Sequence, residues 1–325
     1  MRRPVWIAAL ILVPALLASC SSSTQAPPAD DHPAAVAPRP LNVADPAKVA
    51  SPSPQPNCDP EASFRPRGAL PTPGKMPAGT SMAKIVQRGR LIVGTDQNAN
   101  RLSYLEPSTG ELAGFEIDLA HEIAKALFGD PSKVQFRHIT TADRIPVLQR
   151  GEVDMVIRTM TMTCSRWQQI NFSTEYLHAR QKILVNRGSG ITSLADIGRR
   201  HGKVCATSGS TSIVKISQQP GVVPVSADVT VDCMVLLQQG QIDAVSTNDT
   251  ILLGLAAQDP GTEIVGPAMS SEPSGIGIPK QDVELVRFVN GVLERLRSNG
   301  VLQRIYRLWL GGLGAAPTPV AVYRD

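Results

Sequence analysis

Between residues 90 and 310, short apolar runs of strand length alternate with segments whose apolar residues recur at helical spacing. Nothing else in the sequence restricts the fold as much. Residues 90–96 read as a buried strand ending in a turn. Phe115, Leu119, Ile123 and Leu127 then fall on one helix face. Residues 134–139 alternate as a strand, 144–149 form a short helix closed by Gly151, and 153–157 form another strand. A second series repeats the pattern. Strands at 183–185, 203–207, 222–225 and 242–247 are interleaved with helical turns at 192–197, after 208–212 and at 233–238. A strand at 274–278 and helices at 283–299 and 301–310 close the body. Strands alternating with helices predict parallel α/β layers.

The ends of the chain have a different composition. Arg2 and Arg3, an apolar run from Val5 to Leu17, and Leu17-Ala18-Ser19-Cys20 read as an export signal over residues 1–20. The run is too short for a comfortable transmembrane span, and no later stretch is long and apolar enough for one. The ending resembles the lipobox of a bacterial lipoprotein. That resemblance implies lipid on Cys20 and a mature chain anchored on the outer face of the cell membrane. Residues 21–80, rich in Pro, Ser and Ala, are expected to be a disordered tether, and 313–325 a loose tail. The formal charge is +4, and +2 once Arg2 and Arg3 are set aside, too weak for a nucleic-acid partner.

Four further cysteines, Cys58, Cys164, Cys205 and Cys233, are even in number in an exported chain, so disulfides are expected. Three pairings are possible. Cys205 and Cys233 lie on neighbouring elements, which favours their pairing. A bond from Cys58 to Cys164 would fasten the end of the tether. The cysteines lack the close spacing of a zinc site, and His121, His138, His178 and His201 show no metal or triad spacing. No cofactor is expected.

The strand at 153–157 runs into Thr159-Met160-Thr161-Met162-Thr163, followed by Arg166. Hydroxyls and backbone N–H groups at a strand end, with a guanidinium beyond, can grip a carboxylate. A threonine-rich strand with a surface arginine is the plainer alternative.

Five landmarks extend the argument: 91–96 (Leu-Ile-Val-Gly-Thr-Asp), 114–119 (Gly-Phe-Glu-Ile-Asp-Leu), the block from Gly151 to Ser173, Gly209-Ser210-Thr211, and 240–244 (Gly-Gln-Ile-Asp-Ala). In this order the chain resembles the extracytoplasmic solute-binding proteins that feed polar amino acids to ABC importers, in particular the glutamate/aspartate/glutamine branch. The resemblance covers roughly residues 82–310. It implies two α/β lobes (a type II periplasmic-binding-protein fold), 81–183 plus 274–312 and 186–270, joined by crossings near 181–187 and 270–275. The ligand would be held between the lobes on closure.

Residue by residue, the resemblance places the ligand α-carboxylate on Arg166, with Thr161, Thr159 and the adjoining Met160 beside it and Gly209, Ser210 and Thr211 facing from the second lobe. The α-ammonium position falls on Asn248, next to Asp249. Arg144 and Arg101 join Arg166, and three arginines in one cleft suit a ligand with two carboxylates. The expectation is a monomeric binding protein, not an enzyme. It would bind L-glutamate or L-aspartate, and more weakly asparagine or glutamine, for an ABC permease. A sensor subunit that reports to a membrane receptor is the alternative, and a dehydratase on the same scaffold is a third.

Overall fold

The computed structural model describes residues 37–49, 56–315 and 319–325. Strand β1 (Ala62–Ser63) precedes the first lobe. Helix α1 (Ser81–Arg88) opens that lobe, because the Thr80 hydroxyl accepts from the Ala83 N–H and caps its start. Strand β2 (Leu91–Thr95) follows, then a small hairpin sheet of β3 (Asn98–Ala99), β4 (Ser103–Leu105) and β5 (Leu112–Ala113). Helix α2 (Phe115–Phe128), β6 (Val134–His138), α3 (Arg144–Gln149), β7 (Met155–Val156), α4 (Cys164–Trp167) and β8 (Asn171–Phe172) complete its first part.

The chain leaves on β9 (Leu177–Asn186). It builds the second lobe from α5 (Leu194–Arg199), β10 (Lys203–Thr207), α6 (Thr211–Ser217), β11 (Val223–Ala227), α7 (Thr230–Gln238), β12 (Ala244–Asn248) and α8 (Asp249–Gln258). It returns on β13 (Thr262–Ser274) and closes the first lobe with β14 (Gly277–Ile278), α9 (Val283–Ser298) and α10 (Val301–Leu310). A last strand, β15 (Val322–Tyr323), lies near the C-terminus.

Each lobe has a five-stranded sheet, ordered β6-β2-β7-β14-β8 in the first and β11-β10-β12-β9-β13 in the second. Three parallel strands start each order, with β2 beside β6 and β7 in one and β10 beside β11 and β12 in the other. Helices cover both sheets. Phe115, Leu119, Ile123 and Leu127 of α2 all face the first-lobe core, as their spacing predicts. Cys205, Val225, Leu237 and Val245 lie in one core of the second lobe, and Ile183, Ile197, Val204 and Ile213 in another.

The two long strands β9 and β13 run antiparallel, pairing Leu177 with Ser274 at one end and Asn186 with Thr262 at the other. Gln181 to Leu184 of β9 also pair with Asn248 to Val245 of β12, so these residues belong to the second sheet. The first crossing therefore lies at 177–181, earlier than the expected 181–187. The second, opposite it, lies at 270–274.

Two expectations about the ends are corrected. Within the expected tether, residues 38–49 lie along β11 of the second lobe. Ala44 bridges Ser226, and Lys203 and Arg39 bind the Asp45 carboxylate at 2.7 and 2.9 Å. Residues 56–80 pack on the first lobe. There β1 pairs in parallel with β15, Ser63 Oγ donates to the Phe172 carbonyl at 2.7 Å, and Phe64 meets the Trp167 ring edge-on. In the expected loose tail, the described residues 322–325 are ordered by the same contacts. The Arg324 guanidinium sits 3.8 Å from the Trp167 ring centroid, and the Arg65 N–H donates to the Asp325 carboxylate at 2.8 Å. These segments have too few apolar residues for a core of their own. Long-range pairing orders them, and single-segment composition does not register that. The Cys20 anchor and the export signal lie outside the described residues. Among the described residues, no helix is long and apolar enough to cross a membrane.

The structure pairs Cys58 with Cys164 and Cys205 with Cys233, with Cα–Cα distances of 5.9 and 5.5 Å. The first bond holds the leading segment to α4, the helix that carries Arg166.

Candidate functional site

The sheets of both lobes end at the interface between them. On the first-lobe side, residues 157–163 leave β7 as an irregular segment. Thr159 has φ +42°, a conformation costly for a β-branched residue. Two buried acceptors hold its N–H there, Glu116 Oε1 at 2.6 Å and the Tyr176 hydroxyl oxygen at 3.1 Å, and that hydroxyl itself donates to Glu116 Oε1 at 2.5 Å. Burial pushes the Glu116 carboxyl above the usual carboxylate range, against the pull of these donors.

Three buried guanidiniums surround this segment. Arg144 Nε donates to the Thr141 carbonyl at 2.9 Å, and Nη1 reaches the carbonyls of Arg158 and Thr159, both at 3.3 Å. Arg158 pairs with Asp96 at 2.6 Å and donates to Thr141 Oγ1 at 2.7 Å. Arg166 Nη1 donates to the Thr161 carbonyl at 2.7 Å. Burial, reinforced by Arg166 and Arg158, holds the Arg144 pKa well below the ordinary guanidinium value. Burial brings Arg166 down to about 10, opposed by the Glu272 carboxylate.

The second lobe meets them through the turn before α6. Gly209 has φ +74°, and a Cβ there would stand 3.0 Å from the Cα of Ala142 in the first lobe, so this close approach needs glycine. The Gly209 carbonyl accepts from Arg166 Nη2 at 3.1 Å and faces Arg144 Nη2 at 3.5 Å. Ser210 caps α6 by accepting from the Ile213 N–H. Thr161 and Thr211, one from each lobe, donate to Glu272 Oε2 at 2.6 and 2.8 Å. Glu272 lies on the crossing strand β13 and is 3% exposed.

Two cavities flank these contacts. The inner one, about 30 Å³, is lined by Asp96, Arg144, Arg158, Thr159, Thr161 and Asn248, with threonines and serines of the second lobe. The outer one, about 570 Å³, is lined by Arg166, Gly209, Ser210, Thr211, Ser270 and Glu272 among others.

The structure thus brings together Arg166, Thr161, Thr159, Arg144, Gly209, Ser210, Thr211 and Asn248. It places three expected residues elsewhere. Met160 is fully buried in the first-lobe core, where its methyl group packs on Gly277. Arg101 turns to the carbonyl of Trp309 at 3.3 Å. Asp249 accepts from the Arg180 N–H at 3.1 Å and lines neither cavity. Sequence reasoning missed Arg158 and Glu272. Arg158 sits inside the central segment and carried a usable signal, since an arginine ending an apolar strand needs a buried partner. Glu272 carried none.

Among the described residues, no group of three or more His, Cys, Asp or Glu is placed to hold a metal ion. Two α/β lobes on paired crossing strands, with charged and hydroxyl groups facing one another across the gap, define a hinged binding protein. The chain belongs to the bacterial extracellular solute-binding proteins, family 3, whose family model matches residues 91–312. The ABC transporter glutamine-binding protein GlnH of Bacillus subtilis is 34% identical over 231 residues, 71% of this chain and 84% of that one. The glutamate-binding protein GluB of Corynebacterium efficiens is 30% identical over 251 residues, 73% of this chain and 84% of its own. Among solved structures, an ancestral arginine-binding protein bound to glutamine is 36% identical with a TM-score of 0.64, covering 69% of this chain and 99% of that one. A mutant of the arginine-binding protein of T. maritima gives 29% and a TM-score of 0.66, covering 71% and 99%. The chain is an exported solute-binding protein and not an enzyme.

Proposed function

We propose that this protein captures an acidic amino acid, L-glutamate or L-aspartate, between its lobes and delivers it to an ABC permease. Asparagine and glutamine would bind more weakly. Lipid on Cys20 would hold the monomeric chain at the membrane. The observation that carries this reading is the charge of the interface. The buried charged groups that line the two cavities are three guanidiniums, Arg144, Arg158 and Arg166, and two carboxylates, Asp96 and Glu272. The balance is +1. A ligand of net charge −1 completes it, whereas a basic amino acid would add a second uncompensated charge to a desolvated site. The names of the relatives, which include glutamine- and glutamate-binding proteins, support a polar amino acid.

In this reading Arg166, the Thr161 and Thr211 hydroxyls and the turn at Gly209 take the α-carboxylate. Arg144 and Arg158 face the side chain. The contacts now made across the interface, Arg166 to Gly209 and Thr161 and Thr211 to Glu272, must yield as the lobes part to admit a ligand. A thermal-shift screen over the twenty amino acids tests the reading, since a ligand bound only by the folded state raises Tm by mass action. Glutamate or aspartate should give the largest shift, and Arg166→Met should abolish it while leaving the protein folded. A larger shift with arginine or lysine would overturn the assignment.

A further inference from the structure

An α-amino acid carries its carboxylate and its ammonium on one carbon, so a site that recognises both needs a cation and an anion side by side. Four charged residues line the outer cavity among the described residues: Arg166, Glu272, Lys48 and Lys215. Both lysines are exposed, whereas Arg166 and Glu272 are buried at 9% and 3% exposure. Glu272 is therefore the one carboxylate of that cavity, and its charge acts on Arg166.

The other candidates for an ammonium are less suitable. Asp96 accepts from the N–H groups of Gln97 and Asn98 at 2.8 and 3.1 Å and from Arg158 at 2.6 Å. An ammonium placed on it would sit against the Arg158 guanidinium. Asn248 lines the inner cavity but is neutral, and its amide neither caps α8 nor meets a described partner. Asp249 is turned to the backbone of Arg180.

Glu272 still has room to accept. Its Oε2 takes the hydroxyls of Thr161 and Thr211, and its Oε1 takes that of Ser270 at 2.6 Å. A carboxylate offers about four acceptor positions, so one on Oε1 is left even with these three hydroxyls in place, and those on Oε2 open when Thr161 and Thr211 turn to the ligand carboxylate. Its place on the crossing strand also matters. β13 belongs to the hinge, so Glu272 can hold a ligand while either lobe moves.

We propose that Glu272 is the acceptor for the ligand α-ammonium and that it fixes the preference for amino acids over their deamino analogues. The proposal rests on the site assignment above and deepens it. The test is calorimetry on the full mature chain with glutamate and with glutarate, which lacks only the amino group. The wild type should prefer glutamate, and Glu272→Gln should weaken glutamate on the order of 10- to 100-fold, the range for losing a hydrogen bond between charged groups. Glutarate should stay within about twofold on the same grounds, because it never had that bond. Asn248→Ala should leave the preference in place.

An equal loss for both ligands would overturn the proposal, since Glu272 would then only position Thr161 and Thr211. So would a preference that collapses in Asn248→Ala and survives in Glu272→Gln. If arginine proves to be the ligand, the acidic reading fails by itself. The same comparison of arginine with its deamino analogue then decides the role of Glu272.

Discussion

Replacing Arg144 by Met should separate recognition from stability. The guanidinium is buried, and among the described contacts its partners are backbone carbonyls: one at 2.9 Å, two at 3.3 Å and one at 3.5 Å. Burying a charge costs several kcal/mol even after relaxation, which the neutral side chain would recover. Against this stands one well-formed hydrogen bond to a charged group, worth about 1.5–3 kcal/mol, plus weaker contacts. Met fills similar volume, so the opposing effects should nearly cancel and leave ligand-free stability within about 2 kcal/mol of the wild type. Binding should respond differently. Glutamate should lose roughly 100-fold, the cost of two or so charge-assisted contacts to its side-chain carboxylate. Glutamine, with no charge there, should lose about tenfold or less. Urea unfolding gives the first quantity and calorimetry the second. The reasoning is refuted if stability falls by about 4 kcal/mol or more, as for a structural ion, or if the glutamate-to-glutamine ratio does not change.

Two further variants test the frame around the site. Glu116 is raised in the folded state, so its neutral form is favoured and its contribution is fully present below the ordinary value of 4.5. That contribution is lost as pH rises toward the folded pKa, and Glu116→Gln should flatten this part of the Tm-against-pH curve. An unchanged slope would show that Glu116 is not its source. Converting Cys58 and Cys164 together to Ser removes a link across a separation of 106 residues. Chain entropy sets the expected loss at up to about 4.7 kcal/mol, measured by chemical unfolding under non-reducing conditions, and no loss would mean that the bond does not constrain the unfolded chain.

Glu272 shows where sequence reading stopped. Its partner Thr161 lies 111 residues away, and the two meet because the segment after β7 bridges β13 where Thr161 pairs with Ser274. Nothing near residue 272 marks it as other than a surface glutamate before Pro273. Glu116 and Thr159 are likewise 43 residues apart and meet only through the packing of α2 against the sheet. The segments around Val43 and Ala62 are a stronger case, since Ala62 finds its strand partner at Val322.

The sequence by itself determined what depends on neighbours in the chain. The period of apolar residues set which segments became strands and helices. Thr80, Ser193 and Ser210 marked where three helices begin, and the run from Thr159 to Arg166 supplied groups suited to a carboxylate. Tertiary structure decided which of those groups face the cleft. It buried Met160 in the core, turned Arg101 and Asp249 away, and brought in Arg158 and Glu272. Local pattern is written in backbone and side-chain preferences over a few residues. Charge pairing and cleft geometry depend on distances between residues far apart in the chain, and those distances are fixed only once both lobes have packed onto the two crossing strands.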